Sequence, residues 1–146
     1  MLIEPNLPRN LRYNVLQPPV VVRDSESGSP TFPFLVSDPH GMGVFFVTPA
    51  FLMIFLTMLG RWRVRGLLLA CWVSLCLILT PSMLFFNTGW VQWGGRYLLD
   101  AWPLWLMLTA LGVHRIDRRM SVLLIVLSVA SNLWAILLTV GGWWPT

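Results

Sequence analysis

Apolar and polar positions divide the chain into two unlike parts. Residues 1–40 hold no apolar run longer than Pro19 to Val22, and they carry Arg9, Arg12, Arg23, Asp24 and Glu26 among prolines at 5, 8, 18, 19, 30, 33 and 39. Proline removes a backbone donor and drives the residue before it to extended geometry, so this part predicts an irregular, extracytoplasmic arm. Asp24 to Pro30 reads as a flexible loop. From Gly41 onward long uncharged runs alternate with short charged breaks, which predicts an all-α polytopic membrane region over residues 41–146.

Four spans are expected there. The first covers 41–60, about 30 Å as a helix and a match for a hydrocarbon core, with Pro49 as a kink. Arg61, Arg63 and Arg65 end it, and the second covers 66–86 with Pro81 near its far end. The third is short if it starts at Ala101, only about 20 Å to Val113; starting near Arg96 restores the length and places Pro103 as a kink in the second turn. The fourth covers 120–140 and closes on Gly141-Gly142-Trp143-Trp144-Pro145.

Composition agrees with a bilayer as the main partner: 56% of residues are apolar, 11% are charged, and mean hydropathy is +0.70. The net charge of +4 does not indicate nucleic acid. All ten basic residues are arginine, and six of them lie at 61–65 and 115–119 beside apolar runs. The positive-inside rule puts both clusters in the cytoplasm and both termini outside, in a multi-pass protein of the inner membrane. Trp62, Trp90, Trp93, Trp143 and Trp144 fall at span ends, where indole rings anchor at headgroup level. The first residues lack the basic and apolar regions of a signal peptide, so an uncleaved span is expected to direct insertion. Cys71 and Cys76, five apart, point in different directions on a helix and are not expected to bridge.

Candidate chemistry gathers between the second and third spans, at Trp90 to Pro103. Arg96 and Asp100 are four apart, a spacing that pairs them on one face of an α-helix. Two readings follow: an ion pair that lets both charges approach lipid cheaply, or an Arg96 guanidinium that grips an anionic phosphate in bidentate fashion. Gln92, Trp93, Gly94 and Gly95 form either a tight turn that needs glycine or a ligand-contacting turn with Trp93 stacked on a sugar ring. Asp38 and His40 lack a third nearby ligand, so no metal site is expected, and no cofactor motif occurs. No catalytic residue can be assigned from local pattern. In the fourth span Ser128, Ser131 and Asn132 form a small polar patch expected to face other helices.

Gln92-Trp93-Gly94-Gly95-Arg96-Tyr97-Leu98-Leu99-Asp100-Ala101-Trp102-Pro103 resembles a segment in the C-terminal transmembrane part of bacterial membrane glycosyltransferases of the GT-C, dolichyl-phosphate-mannose mannosyltransferase-like type. Gln17-Pro18-Pro19, Pro33-Phe34, Asp38 to Gly43 and Thr48-Pro49-Ala50 look like the outer loop and following helix of the same proteins. The resemblance implies a polyprenyl-phosphate sugar as partner, with Arg96, Asp100, Gln92, Trp93 and Tyr97 at the binding site. Such proteins are typically much longer, and their catalytic acid lies in a first outer loop that has no counterpart here. The expectation is therefore a C-terminal module that lacks activity alone and works with an upstream-encoded membrane segment. The alternative is a small four-helix membrane protein with a structural or partner-binding role.

Overall fold

The computed structural model describes residues 6–38, 40–59, 65–84 and 96–142. In chain order these form α1 (Asn6–Leu11), a π-helical turn (Arg12–Leu16), strands β1 (Val20–Arg23) and β2 (Pro30–Val36), and a one-turn α2 (Val44–Val47). A 3-10 segment (Pro49–Met58), α3 (Arg65–Leu84), a 3-10 turn (Arg96–Ala101), α4 (Trp102–Gly112) and α5 (Arg118–Val140) follow, with a further short 3-10 turn at Val113–Arg115.

Pro49 decides how the first apolar segment is built. It has no N–H to continue the ladder, and it pushes Thr48 out of helical geometry, to φ −133 and ψ 77. The α-helix therefore stops at Val47 and the chain resumes as a 3-10 segment, about 20 Å long at 2 Å per residue. The break orphans backbone groups that a continuous helix would pair, and α5 supplies the missing partners. Ala50 N–H donates to Ser128 Oγ at 3.0 Å, Ser131 Oγ donates to the Phe46 carbonyl at 3.2 Å, and Asn132 Nδ2 donates to the Val47 carbonyl at 3.1 Å. Ser128 passes its own proton to the Leu124 carbonyl at 2.7 Å, and Asn132 Nδ2 also reaches the Ser128 carbonyl at 2.8 Å. The proton of Ser128 and both amide protons of Asn132 are thus used. The polar patch faces a neighbouring helix, as expected.

The partners also fix direction. Phe46 meets Ser131 while Ala50 meets Ser128, so α5 runs antiparallel to the first segment. Phe51 stacks on Trp105 with centroids 5.3 Å apart, and Met53 lies against Gly112, so α4 runs parallel to it. A Cβ at Gly112 would run into the Met53 carbonyl, and the missing side chain lets the two backbones touch. Trp72 Nε1 donates to Thr57 Oγ1 at 3.1 Å, which places the start of α3 beside the end of the 3-10 segment. Val44, Phe51, Ile54, Leu68, Cys71, Leu75, Met83, Ala101, Trp105 and Leu108 form one core among these segments. The Trp105 Nε1 proton is buried there without a partner among the described residues.

Several expectations change. Among the described residues only α5 is long and apolar enough to cross a membrane, with mean hydropathy 2.3; Pro49–Met58 and Arg65–Pro81 are shorter apolar helices, so four spans are not shown. The expected span 41–60 is a helical turn joined to a 3-10 segment rather than one kinked helix, because Pro49 breaks it outright. The expected third segment is a 3-10 turn followed by α4, and Pro103 sits in the first turn of α4, where its missing N–H costs nothing, and is no interior kink. Cys71 is buried and Cys76 exposed, and neither is bridged.

The arm is not irregular, and the fold is not purely helical. β1 and β2 pair antiparallel, with Val20 opposite Val36, Val21 opposite Leu35 and a bulge before Arg23 opposite Pro30. Val20-Val21-Val22 is a β-branched run, and Asp24 closes the turn by accepting from Ser27 Oγ at 2.7 Å and Ser27 N–H at 3.2 Å. These bonds, the Ser27 hydroxyl first, hold the exposed Asp24 carboxyl below its ordinary pKa. Proline is tolerated because a two-stranded sheet consists only of edges.

Breaking the repair should be costly in a position-specific way. Asn132→Leu strands the Val47 carbonyl and is expected to lose about 1–2 kcal/mol of unfolding free energy in detergent, whereas Val129→Leu, at an exposed position on the same helix, stays near wild type. Equal tolerance at the two positions, read by reversible denaturation, would contradict the assignment.

Candidate functional site

The site is built by the arm where it crosses the Met83 end of α3. Asn10 on α1 is fully buried and donates through Nδ2 to the Met83 carbonyl at 2.9 Å, while Asn14 donates back to the Asn10 carbonyl at 3.0 Å. Near the end of a helix such as α3 the last carbonyls lack intrahelical donors, and an asparagine amide is a compact way to satisfy one in an apolar setting. The π-helical turn then brings Tyr13 and Gln17 round to the segment that leads into α2. Gly43 N–H donates to the Gln17 carbonyl at 2.8 Å, and a Cβ on Gly43 would lie 2.5 Å from the Val15 carbonyl oxygen. Only glycine allows these two stretches of backbone so close.

That approach assembles a polar cluster. The Asp38 carboxylate accepts from the His40 N–H at 2.8 Å and lies 3.0 Å from His40 Nδ1; its second oxygen accepts from Gln17 Nε2 at 3.4 Å. The His40 ring stacks on Tyr13, with centroids 4.8 Å apart and planes 23° from parallel, and the Arg12 guanidinium sits 5.8 Å from the Tyr13 ring centre. The side chain of His40 is 59% exposed and that of Asp38 is 21% exposed, so the carboxylate is the anchored member and the imidazole the accessible one. A carboxylate at Nδ1 favours the tautomer that keeps the proton there and leaves Nε2 as the basic nitrogen. The arrangement can take a proton from a ligand or return one.

The residues picked out from sequence fare differently. Gln92 and Trp93 lie outside the described residues, as do Gly94 and Gly95. Arg96 and Tyr97 open the 3-10 turn, and Asp100 is exposed on it. The expected pairing of Arg96 with Asp100 rests on α-helical spacing, whereas the backbone here is a 3-10 turn; the Arg96 side chain lies outside what the structure describes. Because the first apolar segment runs parallel to α4, the turn that precedes α4 and the Asp38–His40 pair that precedes α2 lie at the same end of the bundle. From sequence, Asp38 and His40 offer an incomplete metal pair and part of the segment that resembles an outer loop. Among the described residues no group of three or more potential metal ligands occurs. Nothing local joins Tyr13 or Gln17 to this pair, since the contact spans 27 positions of chain from Tyr13 to His40.

No family model, curated protein or solved structure matches the chain.

The stacked geometry has a spectroscopic consequence. The His40 ring protons should be shifted upfield by the Tyr13 ring current in NMR spectra of the detergent-solubilised protein, and Tyr13→Leu should return them to ordinary positions. Unshifted His40 protons in the wild type would contradict the cluster.

Proposed function

We propose that this chain is a membrane-embedded module of a glycosyltransferase-like protein that holds a lipid-phosphate-linked sugar at its extracytoplasmic end. The observation that carries the reading is the gathering of polar groups at one end of an apolar bundle: Asp38, His40, Gln17 and Tyr13 on the arm, and Asp100 on the turn that opens at Arg96. A membrane setting is supported by α5, whose apolar window is only 17% buried, unlike the core helix of a water-soluble domain. Its N-terminus carries Arg118 and Arg119, so the positive-inside rule puts that end in the cytoplasm and the polar cluster outside.

In this reading Arg96 grips the phosphate, because a guanidinium keeps its charge and offers two parallel donors to a tetrahedral anion. Trp93 and Tyr97 offer aromatic faces to sugar or prenyl chain, with Gln92 hydrogen-bonding to the sugar and Asp100 tuning the charge of the turn. The exposed His40 ring, held by Asp38, offers a hydrogen-bonding partner to a hydroxyl of the ligand. The role assigned to the chain is donor binding rather than turnover on its own.

A structural or partner-binding role is the second reading. It is favoured by the use made of polar side chains on α5: Ser128, Ser131 and Asn132 are spent on backbone repair.

Binding of a polyprenyl phosphate to the purified, reconstituted protein distinguishes the two. Arg96→Lys keeps the charge but loses the planar fork and is expected to weaken binding about tenfold, with Asp100→Asn milder. Wild-type affinity in Arg96→Lys would favour the structural role.

A further inference from the structure

The hairpin is fastened to α5. Trp134 Nε1 donates to the Leu35 carbonyl at 3.0 Å, and the Phe32 ring meets the Trp134 indole edge to face at 6.1 Å. Around this joint the hairpin displays large apolar side chains: Phe32 is 50% exposed, Phe34 51%, Leu35 40% and Val21 44%. The hairpin is thus fastened to the part of α5 where Leu133, Ile136, Leu137 and Val140 are exposed as well. The charged residues of the hairpin, Arg23, Asp24 and Glu26, are confined to the turn at its other end. Phe34 adopts φ +62, the left-handed region that costs a non-glycine residue about 1–2 kcal/mol. Strain of that kind persists where the surroundings reward the side chain's placement.

We infer that the hairpin rides in the bilayer, with Phe32, Phe34 and Leu35 inserted at the acyl boundary of the leaflet at the C-terminal end of α5. The inference rests on the reading that α5 spans a membrane. Trp134 lies six residues before Val140, about 9 Å along the helix axis, and α5 is about 35 Å long against a hydrocarbon core of about 30 Å. The joint therefore sits several ångströms inside the boundary, the depth at which amphipathic elements ride, about 5–10 Å. Insertion is shallow because a two-stranded sheet has unpaired edges that hydrocarbon does not satisfy. The Trp134 indole covers the Leu35 carbonyl, and the charged turn stays at headgroup level. The arm is then a second membrane contact rather than a solvent loop, and it holds the Asp38–His40 cluster close to the plane in which a lipid phosphate lies.

Spin labels report this directly. In protein with Cys71→Ala and Cys76→Ala, reconstituted in phosphatidylcholine and phosphatidylglycerol vesicles, single cysteines are introduced as Phe34→Cys, Phe32→Cys, Ser27→Cys and Ile136→Cys. Relaxation is then compared with oxygen and with a water-soluble nickel chelate. Labels at 34 and 32 should favour oxygen, as at 136, and the label at 27 should favour nickel. Two labelled positions on the hairpin keep the test intact if one variant fails to fold. Nickel access at 34 and 32 with oxygen preference at 136 overturns the inference and leaves the span standing. Nickel access at 136 overturns both. Shielding of 34 and 32 from both reagents would mean that protein, such as a second copy, covers the hairpin, and would also overturn it.

Discussion

The helix break at Pro49 sets the constraint on which the other contacts depend. A proline there orphans backbone groups on either side of it, and in an apolar interior each such group costs about 1–3 kcal/mol if left unpaired. The three side chains that meet the cost, Ser128, Ser131 and Asn132, lie on one helix, so satisfying the break also docks α5 in a single register. Apolar packing alone would not do this, because one leucine ridge slides past another at little cost. With the register fixed, the 3-10 segment can present Phe51 to Trp105 and the Met53 carbonyl to the bare backbone of Gly112.

The same logic of paired backbone recurs in the cap. Asn10 satisfies a carbonyl at the end of α3, and Gly43 permits the approach that lets its N–H reach Gln17. Neither residue is chemically reactive, yet together they set the position of the Asp38 carboxylate and, through it, the accessible His40 ring. A polar cluster held by backbone fit on an apolar bundle suits a ligand with a charged head and a hydrocarbon tail, which connects the cap to the proposed lipid-phosphate donor.

Much of the bundle was legible in the sequence because its signals are local. The bounds of α5 follow from its uncharged run and from Asp117, which caps the helix by accepting from the Arg119 N–H at 3.0 Å. Pro49 announced a kink rather than the full break, and the small polar patch of α5 announced a contact, but nothing local linked one to the other. The hairpin was hidden by its own prolines, whose usual meaning outweighed the β-branched Val20 to Val22 and the turn at Asp24. The Asp38–His40 pair was visible, whereas Tyr13 and Gln17 join it only through the π-helical turn and the bare backbone of Gly43. The Arg96–Asp100 spacing presumes an α-helix, and the backbone over Arg96–Ala101 winds with three residues per turn.

A double-mutant cycle between Pro49 and the α5 patch tests the central claim most directly. Alanine at 49 restores an N–H and allows the ladder to close through Ala50 and Phe51, so the donors and acceptor on α5 become redundant. Unfolding free energies in detergent are measured for Pro49→Ala, for Ser128→Ala with Asn132→Ala, and for all three changes together. If α5 exists in its register to repair the break, the α5 substitutions cost clearly less when alanine occupies position 49, with a coupling energy of about 1 kcal/mol or more. Strict additivity would contradict the account.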